Sequence, residues 1–128
     1  MLRVDIKRDE PGTGAVDVRH ILDAIGEAAL RSRWKISWDL QCGDGPVAAE
    51  IYKLAGDGAW VGGSRLHGLF DRAGRTSSGS VEGFRLDETE PWIGISVTGV
   101  ETFAVITSDG PAAQRLRARF PGASVVAS

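Results

Sequence analysis

The groups with most chemical potential in this chain are one thiol, Cys42, and two imidazoles, His20 and His67. His67 and Asp71 stand one helical turn apart, so a carboxylate there can orient an imidazole, the rear half of a nucleophilic triad. Cys42 is the thiol that would complete it, placed where an alternating segment ends beside the Gly43-Asp44-Gly45-Pro46 turn. The same alternation also puts Cys42 on an inward face, where cysteine behaves as a small hydrophobe. The Gly-x-Ser-x-Gly nucleophile elbow is absent.

Three other groupings bear on function. Asp17, His20, Asp23 and Glu27 share one helical face and are metal-ligand types. However, no Glu-x-x-His pair on a second helix joins them, two histidines cannot build a His-rich centre, and one cysteine excludes a Cys-based zinc site. A solvated polar face accounts for them, and no metal or other cofactor is expected. Gly62-Gly63-Ser64 before a helical stretch offers backbone amides and a dipole to an anion, with Arg65 and His67 close in sequence. It is neither a phosphate loop, since no lysine follows the glycines, nor a dinucleotide fingerprint. In the plainer reading these glycines turn the chain and Ser64 caps its own helix. Trp60 and Trp92 flank turns, where an indole either covers a core edge or serves as a hot spot for a partner.

Fifteen basic against 17 acidic residues give a net charge of −2, which disfavours a dedicated nucleic-acid binder. Arg33 and Lys35 project together from one strand face, but the alternation assigns them no aromatic neighbour for stacking bases. Of Arg115, Arg117 and Arg119, only the first and last share a helical side.

The elements that must position these groups follow from periodicity. Residues 2–7 alternate, with Leu2, Val4 and Ile6 on one side. Residues 9–14 read as a turn and residues 15–32 as one amphipathic helix with Val18, Ile21, Leu22, Ile25, Ala28 and Ala29 on its stripe. Residues 33–42 alternate throughout, placing Trp34, Ile36, Trp38, Leu40 and Cys42 inward. Pro46 starts a helix that ends near Gly56, a short helix runs from Ser64 to Gly74, and residues 75–80 read as a loop or weak strand edge. Strands are expected at 81–86, 92–98 and 102–107, the last two forming a hairpin through Gly99. Asp109 and Pro111 open a helix with Ala113, Leu116 and Phe120 inward, and a strand closes the order at 124–127.

Three successive strands break any βαβ rhythm. The expected fold is therefore α+β: a mostly antiparallel sheet of five to six strands with three to four helices on one face, in a single domain over residues 1–128. No apolar run approaches a membrane span or signal segment, and a lone cysteine fits a reducing compartment, so the expected location is cytoplasmic. The leading functional expectation is a non-enzymatic protein-interaction or regulatory module acting through Trp60 and Trp92, with a second copy among its partners. The alternative is a small-anion-binding protein or enzyme with a pocket near Cys42, Gly62, Gly63, Ser64, Arg65 and His67.

Overall fold

The computed structural model describes residues 1–10, 14–99 and 102–127. Among them the elements run β1 (Leu2–Lys7), β2 (Asp9–Glu10), β3 (Gly14–Ala15), α1 (Val18–Ile25), α2 (Glu27–Arg31), β4 (Arg33–Ile36), α3 (Pro46–Gly56) and β5 (Val61–Gly62). They continue with α4 (Gly63–Arg72), β6 (Ser80–Phe84), β7 (Ile93–Val97), β8 (Thr102–Thr107), α5 (Gly110–Arg119) and β9 (Ser124–Ala127). Seven strands make one antiparallel sheet in the order β5-β4-β6-β7-β8-β1-β9, and β2 pairs with β3 in a separate ribbon. The fold is thus α+β, with seven sheet strands rather than five to six. The additional strand is β5, whose two residues are too few to announce themselves by alternation.

The helices cover one face. Val4 and Ile6 of β1, Trp34 and Ile36 of β4, Ile93 and Ile95 of β7, and Phe103 and Val105 of β8 are buried beneath them. Ile21, Ile51, Leu66, Leu69 and Leu116 pack down from the helices into the same cluster. The opposite sheet face carries Arg3, Asp5, Lys35 and Glu82, all partly or fully exposed.

Two local departures from periodicity matter for the site. The helix expected over 15–32 is two helices, because Gly26 takes φ 79° and ψ −139°, a conformation that L side chains rarely adopt. The break turns the end of α2 toward the core tryptophans. The Trp34 indole N–H donates to the Ala29 carbonyl at 2.9 Å, and Trp92 donates to Ser32 Oγ at 2.8 Å. The strand expected over 33–42 stops at Ile36. Ser37 then exchanges bonds with Ser80, its N–H donating to the Ser80 carbonyl and its Oγ accepting from the Ser80 N–H, each at 2.9 Å. Leu40 N–H donates back to the Ser37 carbonyl, closing a turn. Trp38 lies in that turn and is 85% exposed, so its expected place in the core is corrected, whereas Leu40 and Cys42 return to the buried side.

Candidate functional site

At the β5 end, the uncovered sheet face brings aromatic and cationic groups together. Arg33 and Lys35 leave β4 on the side opposite Trp34 and Ile36, and register sets Arg33 against Phe84 and Lys35 against Glu82. Trp60, immediately before β5, meets Phe84 edge to face at 5.0 Å between ring centroids. The Arg33 guanidinium lies 3.9 Å and the Lys35 ammonium 4.5 Å from the Trp60 ring centroid, both cation–π contacts. Lys35 also donates to the Gly58 carbonyl, and Arg33 Nη2 donates to the Glu88 carbonyl at 3.2 Å. Trp60 remains 45% exposed in this setting. The expectation that no aromatic accompanies Arg33 and Lys35 is therefore overturned, since Trp60 arrives on their face from a segment with no alternation of its own. Further along the same face, a hollow of about 290 Å³ opens over Gly94, bounded by Glu82, Ser96 and Ile106.

The other residues singled out from sequence are placed as follows. Trp92 is 2% exposed, so of the two turn-flanking tryptophans only Trp60 presents a surface. Gly62 is the N-cap of α4 and no side chain caps that helix; Ser64 lies inside its first turn instead. Gly63 is buried against α2, where a Cβ would come within 2.5 Å of the Leu30 carbonyl oxygen. Arg65 pairs with Glu50 of α3 at 2.8 Å. His67 pairs with Asp23 of α1 at 2.6 Å, while Asp71 pairs with Arg19 at 2.6 Å, so the two residues tie α4 to α1 through separate partners. Cys42 is fully buried, and burial pushes its thiol up despite the opposing influence of the Tyr52 hydroxyl. None of Cys42, Gly62, Gly63, Ser64, Arg65 or His67 lines the hollow over Gly94 or the cleft bounded by Arg19 and His20 of α1.

The acidic face of α1 is used structurally. Asp17 and His20 form a capping box in which the Asp17 N–H donates to His20 Nδ1 at 2.9 Å, leaving the ring proton on Nε2. Glu27 pairs with Arg31, both well exposed. Among the described residues, no group of three or more His, Cys, Asp or Glu side chains is placed to hold a metal. No helix among them is long and apolar enough to cross a membrane.

One charged residue not singled out above is conspicuous. Arg8 is only 3% exposed, with its guanidinium 4.4 Å from the centroid of the Phe103 ring. Nη2 donates to the Thr76 carbonyl, and the Thr76 N–H is in turn shared by both Asp17 carboxylate oxygens at 3.2 and 3.3 Å. Nε and Nη1 are buried and, among the described residues, have no hydrogen-bond partner; Thr76 Oγ1 is in the same position. Burial first, and the nearby Arg75 second, lower the Arg8 pKa, although arginine stays charged at neutral pH. A signal for this residue did exist: Val4, Ile6 and Arg8 are in phase, so continuing the β1 alternation carries a charge onto the inward face.

Compared with protein-family models, with curated proteins and with solved structures, the chain matches none of them.

Proposed function

We propose that this domain is a non-enzymatic protein-interaction module and that the open sheet face centred on Trp60 is the surface it offers. The observation that carries the reading is Trp60 itself, an indole 45% exposed yet held by Phe84, Arg33 and Lys35. An aromatic ring already fixed in place loses little side-chain freedom on docking, and tryptophan and arginine are the residue types richest in interface hot spots. The two cations at its rim suit a partner that presents acidic side chains around an apolar group. A protein fits better than a nucleic acid, because Glu82 stands opposite Lys35 on this face and the chain as a whole is slightly acidic. A second copy of the chain is a partner that the same experiment detects.

The test is a photo-crosslinking amino acid at Glu82, exposed beside the patch, in cells producing the full chain, with Glu27 on the helical side as control. The expected result is a discrete, nuclease-resistant adduct from position 82 that is absent at position 27. It should also vanish in Trp60→Ala while circular dichroism shows the variant folded. Equal adducts at both positions, adducts that survive Trp60→Ala, or adducts removed by nuclease would each overturn the proposal.

A further inference from the structure

A cleft of about 350 Å³ opens where β2 and β3 meet α1 and the end of α4, lined by Arg8, Ala15, Arg19, His20, Asp71 and Arg75 among others. Its size is that of a small-ligand pocket. Of the three carboxylates lining this cleft, Asp71 is engaged by Arg19 and Asp17 by the Val18 and Thr76 amides, while Asp9 acts on Arg8 through its charge. Arg8 is different: two of its nitrogens are buried with no acceptor among the described residues. A buried charge with unmet donors is costly, and only an acceptor relieves that cost. His20 adds a donor to the lining, because the capping box fixes its proton on Nε2.

We infer that this cleft binds a small molecule through an oxyanion, a carboxylate or phosphate group, with Arg8 as the principal donor and His20 beside it. An oxyanion brings several lone pairs and a compensating charge to one guanidinium, which is the strongest hydrogen-bonding arrangement available to arginine. The site lies among β2, β3, α1 and α4, and its occupancy does not depend on the Trp60 surface.

The experiment is a titration of the purified domain with sodium phosphate and, separately, sodium acetate at constant ionic strength, with chloride as the reference salt. The readout is the Nε–Hε resonance of Arg8 in a two-dimensional ¹H–¹⁵N spectrum. A saturable shift with phosphate or acetate, unmatched by chloride, is expected, and whichever saturates identifies the group carried by the ligand. Arg8→Lys, which keeps the charge but loses the guanidinium, should weaken the saturation monitored at His20 by about tenfold or more. Since that variant disturbs a buried position, Ala15→Phe serves as a second: residue 15 is exposed and lines the cleft, so the ring obstructs entry while Arg8 itself is retained. Its affinity should fall by a similar factor of about ten. Shifts that stay linear, shifts equal in chloride, or undiminished saturation in Ala15→Phe would overturn the inference. A buried water satisfying Arg8 would yield the first of these.

Discussion

The two glycines of α4, Gly63 and Gly68, invite the same substitution with opposite results. Alanine is favoured over glycine in a helix by about 1 kcal/mol, largely because glycine leaves more freedom in the unfolded chain. At Gly68 an added Cβ meets nothing within 4 Å, so Gly68→Ala should realise most of that gain. At Gly63 the Cβ would stand 2.5 Å from the Leu30 carbonyl oxygen and 2.6 Å from its carbonyl carbon, with the Ala29 oxygen nearer still. An ordinary carbon–oxygen contact is about 3.3 Å, so the start of α4 must withdraw from α2 by nearly 1 Å. The obstacles are backbone atoms and cannot rotate aside. Moving α2 instead would disturb the Ala29 carbonyl, which accepts the buried Trp34 indole N–H at 2.9 Å. Overpacking of this kind costs about 1–3 kcal/mol, with the lost indole bond adding about 1 kcal/mol more. Set against the alanine gain of about 1 kcal/mol, a net loss near 2 kcal/mol is expected for Gly63→Ala. With a urea dependence of about 2 kcal/mol per molar, the unfolding midpoint should fall by roughly 1 M for Gly63→Ala and rise by roughly 0.5 M for Gly68→Ala. Equilibrium urea unfolding followed by circular dichroism measures both. Midpoints that move together, or a Gly63→Ala protein as stable as the parent, would refute the claim that α4 and α2 meet through a space only glycine fits.

Trp38→Ser should change unfolding stability by no more than about 0.5 kcal/mol, because the ring is 85% exposed, whereas truncating a core tryptophan costs about 3–5 kcal/mol. Cys42 should react with a thiol reagent only at the rate of unfolding, since its side chain is buried and its pKa raised; immediate stoichiometric labelling of native protein would contradict that. The His20 pKa is lowered, first by burial and then by Arg19, against the opposing pull of Asp17 and Asp23. The unfolded chain therefore binds more protons than the folded one as pH drops through the histidine range, so stability from this residue is present above about pH 6.5 and lost below it. His20→Gln keeps an acceptor for the capping box and should flatten that part of the pH–stability curve; an unchanged slope counts against the assignment.

Much of the scaffold was legible because its burial is one-sided. β1 and β7 alternate and α3 carries an apolar stripe, and these, with β8, appear close to their expected bounds; α1 shows its stripe but ends early, at Ile25. The failures share a cause, in that periodicity reports burial and not backbone geometry. Leu40 and Cys42 are buried, so alternation runs unbroken through a turn that ejects Trp38. Ala28 and Ala29 still pack on or near the core, so the stripe of α1 continues past a helix break that Gly26 alone could have signalled. The Trp60 surface was half visible. The residue was singled out, but its convergence with Arg33 and Lys35 depends on β5 pairing with β4, a contact of two residues that leaves no pattern. The cleft at Arg8 escaped because a charged side chain is ordinarily read as solvent-facing even when it stands in phase with Val4 and Ile6.

The place of β1 in the sheet governs the timing of assembly. β1 is made first, yet its hydrogen-bonding neighbours are β8 and β9, with Leu2 registered against both Thr107 and Ala127. During synthesis this apolar strand waits, with both edges open, until β8 and β9 have left the ribosome. Most of the loop-closure entropy is met in that one late step. The domain should accordingly fold slowly for its size, and only once β8 and β9 have emerged. Nascent chains lacking β8 and β9 are the species in which β1 is most open to chaperones and to mispairing with its own kind.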